Sequence, residues 1–267
     1  ESLGGASPEK QAFRIHQLQT FLPVAMYSCD YNTRFTKNAQ NDGYKKVMNF
    51  YGALRNRLHD YAYDQAQVWY DTGVPTLMKP LLLDNDYANL AESKKMLAPC
   101  GFFDPEAVNY GTDKATIKDE ASAKNCTTDG VPAYQYMFGN ALMVRPVMSA
   151  VDTVAVYFPP GKWRSFIVAN PVFDGGKTIK YVPKDSGDYP VFLKEGEILL
   201  IGDLNNTKDL SAYAFLETAG KTASSVYKHV NAATGAKTEL QVVKQGTTLY
   251  LKDLGSKRQL TMTPDIY

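Results

Sequence analysis

The chain has 267 residues, of which 44% are hydrophobic and 12% aromatic, a composition typical of a packed globular protein with a sizeable core. Its 29 basic and 28 acidic residues leave a net charge of +1, which argues against nucleic acid or an anionic membrane as an obligatory partner. No apolar run approaches the roughly 20 residues that span a bilayer, so we expect no membrane span.

The first residues show no natural start of translation and no targeting segment. The sequence begins at Glu1 without Met, a basic region or an apolar region, and we interpret it as a processed or excised chain. Two sequons, at Asn125 and Asn205, would permit N-glycosylation of a secreted protein. We therefore expect a protein of the secretory pathway.

Two helices are predicted in the first part of the chain. Ser7-Pro8-Glu9 is a helix start, because the hydroxyl caps free amides and Pro fits the first turn, which predicts a helix over about 8–22. Steps of three and four residues predict a second, long helix with one buried face, formed by Val47, Tyr51, Leu54, Leu58, Tyr61, Gln65 and Val68. Gly73 and Pro75 are expected to end it.

A nearly continuous apolar run at 74–83 follows and is typical of a strand buried on both faces of a parallel sheet. Helix and buried strand in this order indicate an α/β unit. From about Asp84 to Pro132 aliphatic residues are few, which predicts a long insertion at 84–132. Cys100 and Cys126 lie in it, and a disulfide between them would stabilise the fold by about 3 to 4 kcal/mol in the chain-entropy model.

After Tyr134 the pattern changes to short alternating runs separated by turns rich in Gly and Pro. The runs are residues 141–147, 154–158, 178–182, 197–201, 225–230, 238–243 and 247–251. This spacing predicts that the chain ends in an antiparallel β-sandwich.

Five segments and one short run, in order and over most of the chain, are similar to a known family. They are Leu54–Tyr63, Thr72–Leu83, Gln135–Val147, Val156–Phe166 and Tyr189–Ile198, with the run at 173–179. In these segments the chain resembles the C-terminal part of glycoside hydrolase family 31, the α-glucosidase clan. The resemblance implies an α/β plus all-β fold, in which 1–140 is the end of a (β/α)8 barrel and 141–267 is a C-terminal β-sandwich.

Further details of the fold follow from the resemblance. It makes Gln135–Gly139 the last short barrel helix with Gly as its C-cap, and it makes Leu142-Met143-Val144 the start of the first sandwich strand. It places the turn after the seventh barrel strand at Leu3-Gly4-Gly5. A barrel needs all eight strands, so we expect an N-terminal portion of the same protein, as a separate chain or as further sequence. The alternative is a small, complete α+β domain.

The resemblance also implies the chemistry. Retaining hydrolysis of an α-glycosidic bond uses two carboxyl groups about 5 to 5.5 Å apart. The family carries both aspartates upstream of the turn where this chain begins, so no catalytic residue is assigned in this chain. No cofactor is expected, and carbohydrate is the expected ligand if the protein is active.

Three positions at which the family has polar sugar contacts are substituted here. Ser2 replaces the Asp of the family's Asp-Ile-Gly-Gly-Phe run, and Met26 and Ser28 replace an Arg and a His that follow a Pro. These side chains cannot supply the same charge or hydrogen bonds to a sugar ring. Asp30 is our candidate for a remaining ligand contact. If this stretch aligns differently with the family, then Tyr27, Cys29, Asp30 or Arg34 takes over the lost sugar contacts.

Two functions therefore remain open: an α-glycosidase whose catalytic pair lies upstream, or a catalytically degenerate member that is a carbohydrate-binding or structural module in an assembly. No metal site is predicted. His16, His59 and His229 have no partner at metal-ligand spacing, and we interpret them as structural histidines.

Overall fold

The structure is a computed structural model, and it describes residues 8–25, 42–83, 135–147, 154–168, 171–182, 187–203, 206–231 and 233–262. Its helices are α1 (Pro8–Thr20), α2 (Asp42–Arg57) and α3 (His59–Thr72). Its first strands are β1 (Leu77–Pro80), β2 (Tyr136–Phe138), β3 (Leu142–Val144), β4 (Val154–Phe158), β5 (Lys162–Ser165), β6 (Val172–Asp174) and β7 (Lys177–Tyr181). The remaining strands are β8 (Val191–Lys194), β9 (Leu199–Asp203), β10 (Asn206–Tyr213), β11 (Tyr227–Val230), β12 (Lys237–Gln245), β13 (Thr248–Asp253) and β14 (Gln259–Thr261).

The helices follow the sequence prediction with one difference. Helix α1 begins at Pro8 as expected, but the predicted long helix is divided into α2 and α3 at Leu58, whose φ is −81° and ψ −1°. The apolar face continues across the division, because the N–H of Leu58 still donates to the carbonyl of Leu54 at 2.9 Å. Gly73, with φ 72°, ends α3 as predicted and donates its N–H to the carbonyl of Trp69. No helix in the described ranges is long and apolar enough to cross a membrane.

The strands form antiparallel sheets. A six-stranded sheet has the order β1-β2-β3-β8-β5-β6, and a four-stranded sheet has the order β11-β12-β13-β14. Two smaller sheets pair β4 with β7 and β9 with β10. This arrangement agrees with the predicted C-terminal β-sandwich, whereas the barrel part of the predicted fold is not seen in the portion that the structure describes.

Strand β1 corrects the prediction of a parallel strand buried on both faces. It pairs antiparallel with β2 and lies at one end of its sheet, with alternating exposure: Leu77 and Lys79 are buried, Met78 and Pro80 exposed. Met78 has a φ of 61°, and the register shifts between Leu77 and Lys79. An irregularity at an edge strand turns one side chain outward, so the apolar run is buried on one side only.

Residues 135–139 correct a second prediction, that of a short barrel helix. Tyr136, Met137 and Phe138 form strand β2, which pairs with β3 across a tight turn. All three side chains are buried. A strand that lies between two neighbours and is covered on both faces can bury three consecutive side chains, whereas a helix with one exposed face cannot. Gly139 is the turn residue of this hairpin, with a φ of 68°, rather than a helix cap. The strand predicted at 142–144 is confirmed as β3.

One hydrophobic core extends from the helices to the sheets. Phe21, which directly follows α1, lies stacked against Tyr189 and edge-on to Phe138, with ring centroids 6.4 and 6.2 Å apart. Tyr51 packs edge-on to Tyr189 as well. Tyr51 and Tyr61 are fully buried, which confirms that both lie on the buried face of the predicted long helix.

Candidate functional site

All site residues predicted from the sequence lie outside the residues that the structure describes. They are the sugar-contact positions Ser2, Met26, Ser28 and Asp30, the glycosylation positions Asn125 and Asn205, and the cysteines Cys100 and Cys126. Each of these assignments therefore stays a prediction. Within the described residues, three buried carboxylates form hydrogen bonds with partners from other elements.

The first of these carboxylates joins helix α3 to the C-terminal four-stranded sheet. The side chain of Asp64 is fully buried and accepts three hydrogen bonds from strand β11. The donors are the hydroxyl of Tyr227 at 2.6 Å, Nδ1 of His229 at 2.9 Å and the backbone N–H of Val230 at 2.7 Å. We call Asp64, Tyr227, His229 and Val230 the Asp64 cluster.

Charge and burial explain the protonation of the Asp64 cluster. Burial, with the carboxylate close by, raises the pKa of Tyr227 well above 10, so its hydroxyl keeps the proton that it donates. The hydrogen bond to Asp64 raises the pKa of His229 above 6.5, and it outweighs the opposite effect of burial. A carboxylate only accepts, so Nδ1 of His229 carries the proton of this bond.

Tyr61, one turn before Asp64 on α3, connects the helix to the β2–β3 hairpin. Its hydroxyl donates to the carbonyl of Phe138 at 3.1 Å and accepts from the N–H of Ala141 at 2.9 Å. Its ring stacks on that of Tyr227, with centroids 6.1 Å apart and planes inclined by 14°. One helix face therefore contacts the first hairpin and the last sheet together.

Gln65, on the same face of α3, forms hydrogen bonds next to strand β1 and in the β2–β3 turn. The hydroxyl of Thr76, just before β1, donates to the backbone carbonyl of Gln65 at 2.5 Å. The side-chain oxygen of Gln65 accepts from the N–H of Asn140 in the hairpin turn at 3.2 Å. These bonds satisfy polar groups that would otherwise be buried without partners.

A second buried carboxylate, Glu195, holds the segment that follows β10. It accepts hydrogen bonds from the N–H groups of Glu217 and Thr218 and from the Thr218 hydroxyl, the last at 2.5 Å. Burial would raise the pKa of Glu195, but these donors outweigh it and lower the pKa below 4.5. A third, Asp188, accepts the hydroxyl of Tyr181 at 2.9 to 3.0 Å on its two oxygens.

These contacts decide what the carboxylates can do. Asp64, Asp188 and Glu195 are each 5% exposed or less and are bound by donors of their own chain. A carboxylate held in this way fixes structure and does not face a substrate to attack it or to transfer a proton. These three carboxylates therefore stabilise the packing of the fold.

The histidines also have partners within the chain. Nε2 of His16 lies 3.1 Å from the carbonyl of Met48, and Nδ1 of His59 lies 3.1 Å from Asp60 on the same helix. With His229 bound to Asp64, each histidine makes a structural contact, as the sequence interpretation expects. Among the described residues no group of three or more His, Cys, Asp or Glu side chains could hold a metal ion.

Sequence reasoning did not single out Asp64 or Glu195, and it considered His229 only as an isolated residue. One signal was available for Asp64. It lies three residues after Tyr61, on the face that the apolar periodicity marks as buried. A charged residue at a core position needs buried partners, although the sequence does not show that they lie in β11.

A family model and two curated relatives match the chain. The model of the glycosyl hydrolase family 31 C-terminal domain matches residues 103–199. An isomaltosyltransferase from Sporosarcina globispora is 24% identical over 92% of the chain and 19% of its own length. An alpha-xylosidase from Lactiplantibacillus pentosus is 28% identical over 35% of the chain and 13% of its own length. The chain thus spans a fifth or less of the curated relatives that it matches.

Solved structures show the same fold. The cycloalternan-forming enzyme of Listeria monocytogenes matches 93% of the chain and 22% of its own, with a TM-score of 0.62 and 18% identity. A GH31 alpha-xylosidase from Xanthomonas citri matches 92% of the chain and 24% of its own, with a TM-score of 0.60 and 19% identity. A GH31 dextranase from Flavobacterium johnsoniae has a TM-score of 0.59 and 17% identity over 93% of the chain and 28% of its own. The chain is therefore similar to glycoside hydrolase family 31, and its residues 103–199 match the C-terminal domain of that family.

Proposed function

We propose that this chain is the non-catalytic C-terminal part of an enzyme that acts on α-glycosidic bonds. The observation that carries the proposal is the alignment of 92% of the chain with an enzyme named for transfer of an isomaltosyl group. The relative that matches a shorter stretch is named an alpha-xylosidase. Both names describe work on α-linked sugars.

In this proposal 1–140 completes the catalytic (β/α)8 barrel and 141–267 packs against it. The catalytic pair is supplied by the rest of the protein. One carboxylate attacks the anomeric carbon while a carboxylic acid protonates the leaving oxygen, and the glycosyl-enzyme ester is then broken by water or by a sugar hydroxyl. The acid, now ionised, takes the proton of that water or hydroxyl, which restores both groups.

The described residues support a positioning role. Buried carboxylates fix α3 to the last sheet through Asp64, and the loop after β10 to the β8–β9 turn through Glu195. Contacts of this kind hold elements in one geometry, and a site displaced by about 1 Å can lose about a hundredfold in rate. In this proposal the chain holds its own part of the active site in a fixed position.

The test is an assay of the intact protein, including its N-terminal portion, on p-nitrophenyl α-glucoside, α-xyloside and α-galactoside. We expect release of p-nitrophenol from at least one of them and none from p-nitrophenyl β-glucoside as the matched control. Chromatography of products formed from an α-linked oligosaccharide would separate hydrolysis from transfer. If the protein is folded by circular dichroism but turns over none of the α-glycosides, the proposed enzymatic activity is refuted.

The substitutions at Ser2, Met26 and Ser28 favour a second candidate, a catalytically degenerate member that binds carbohydrate or has a structural role in an assembly. Three polar anchors replaced by weaker groups would cost a pyranose subsite several hydrogen bonds. This candidate predicts a non-acidic residue at one of the two upstream catalytic positions. Binding of an α-glucan in calorimetry, without turnover, would support it.

We also propose that the protein passes through the secretory pathway, on the basis of the sequons at Asn125 and Asn205. Glycosylation would add mass that peptide-N-glycosidase removes and would convert each modified Asn to Asp. Mass spectrometry of the natural protein before and after the enzyme gives the result. Unmodified peptides at both positions would remove the basis for this proposal.

A further inference from the structure

The Asp64 cluster attaches the C-terminal sheet, β11 to β14, to the rest of the fold. All three groups that bind the Asp64 carboxylate belong to β11, the first strand of that sheet. The side chains of Tyr227 and His229 are on the same face of β11, which is the face turned toward α3. One fully buried carboxylate therefore accepts three hydrogen bonds from the sheet.

Among these groups only His229 changes charge near neutral pH. Tyr227 keeps its proton, because burial raises its pKa well above 10, and the Val230 donor is a backbone amide. His229 is 8% exposed and lies in direct contact with the carboxylate at 2.9 Å. Its protonation therefore decides whether Asp64 pairs with a cationic or a neutral imidazole.

The charges around His229 favour its protonated form. Helix α3 brings Asp64 and, more distantly, Asp60, whose negative charges both raise the pKa of His229. On the adjacent strand, β12, its register partner is Thr238, which is uncharged. Lys237 and Glu239 flank Thr238, and alternation along the strand turns them to the opposite face.

We propose that His229 and Asp64 make the attachment of the C-terminal sheet to helix α3 pH-dependent, tighter in mildly acidic than in mildly alkaline solution. A group whose pKa is raised in the folded state contributes stability that is fully present below its unfolded value, here 6.5. That contribution is lost as the pH rises through the folded value. The neutral imidazole still donates from Nδ1, so the contact weakens without breaking.

The experiment is hydrogen–deuterium exchange of the intact protein, read by mass spectrometry on peptides that contain β11 and β12. Rates at about pH 5.5 and about pH 8.5 are corrected for the intrinsic effect of pH on amide exchange, so that the remaining difference reports opening of the sheet. We expect opening of β11 to be roughly fivefold more frequent at the higher pH, when the carboxylate pairs with a neutral instead of a cationic imidazole. Equal opening at both values would overturn the proposal.

Three variants identify the responsible group. H229Q keeps a donor without a titratable charge and should lose the pH difference. H59Q changes an exposed histidine of helix α3 that pairs with Asp60 instead of Asp64, and it should keep the difference. Y227F removes one donor but leaves His229 on Asp64, so opening should increase at both pH values while the difference persists. A difference that survives in H229Q, or disappears in H59Q, would overturn the proposal, and the wild-type and Y227F data decide it if H229Q does not fold.

The contact between His229 and Asp64 forms independently of catalysis. Its readout is local exchange in β11 and β12, and an inactive protein gives the same measurement. A protein that fails the glycoside assay can therefore still confirm or refute the role of His229.

Discussion

Gly139 is a position where backbone geometry and space both require glycine. Its φ is 68°, and a Cβ built there would lie 2.1 Å from Oη of Tyr61. The Tyr61 hydroxyl is itself held by Phe138 and Ala141 on either side of the turn. The hairpin and the helix therefore approach as closely as they do only because this residue has no side chain.

The variant G139A should be destabilised by more than about 2 kcal/mol, because a methyl group must displace Tyr61 in addition to adopting a positive φ. Gly73 is the matched control, since its φ is 72° and nothing lies within 4 Å of its built Cβ. G73A should cost about 1 kcal/mol, the price of the backbone conformation alone. Urea unfolding measures both, and equal losses would show that Tyr61 does not restrict this site.

Glu195 should make the protein sensitive to acid. Its pKa is lowered in the folded state, so its contribution to stability is present above the unfolded value of 4.5 and is lost as the pH falls through the folded value. We expect E195Q to be less stable at neutral pH and to lose less stability on acidification. Melting temperatures between about pH 3 and about pH 7 test this, with the exposed E239Q as control; parallel profiles for E195Q and wild type would contradict it.

At the scale of elements, α3 is the part of the fold that connects the others. Its buried face bonds to the β2–β3 hairpin through Tyr61, to strand β1 through Gln65 and to strand β11 through Asp64. A helix that contacts three separate strands in this way fixes their relative positions. Changes on this face are expected to affect the whole fold more than changes on its exposed side.

Replacing Asp64 tests that connection. D64A leaves the Tyr227 hydroxyl, His229 and the Val230 N–H without their buried acceptor, and we expect a loss of about 3 kcal/mol in the free energy of unfolding. D60A on the same helix removes a contact with the exposed His59 and a more distant charge near His229, but it breaks no hydrogen bond to β11 and should cost less than about 1 kcal/mol. A similar small loss for both variants, measured by urea unfolding, would show that the Asp64 cluster does not join helix and sheet.

At the scale of the whole molecule, one sheet spans the predicted border between the two parts of the chain. Strands β1 and β2 precede residue 140 and β3 follows it, yet all three are neighbours in the six-stranded sheet. The division into 1–140 and 141–267, with an insertion at 84–132, stays a prediction. The Asp64 cluster adds a contact between residues 165 positions apart, which ties the two parts together.

The cysteines give a test that concerns the covalent structure of the whole chain. If Cys100 and Cys126 are paired, titration of the denatured, unreduced protein will find one free thiol, that of Cys29. Reduction should then lower the melting temperature, because the 26-residue separation is no longer closed. Three free thiols before reduction would show that the disulfide is absent.

The sequence by itself determined the local elements. Helix α1, the buried face of α2 and α3 and the Gly73 stop depend on side chains close together in the chain, so periodicity and turn residues predict them. The same holds for seven strands of the second half, which are β3, β4, β7, β9, β11, β12 and β13. Alternation did not predict β5, β6, β8, β10 and β14. Six short stretches were sufficient to identify a resemblance to the family, and the matches confirm that resemblance. The sugar contacts, the disulfide and the barrel end were predicted on residues or strands that the structure does not describe or show.

Tertiary structure decided the rest. The antiparallel pairing and exposed side of β1, and the choice of strand over helix for Tyr136–Phe138, depend on which neighbour each strand meets. Asp64 and His229 become partners only when α3 packs on β11, and no local pattern of either segment specifies the other. A buried charge shows in the sequence that a partner must exist; only the packing of distant elements shows which residue it is.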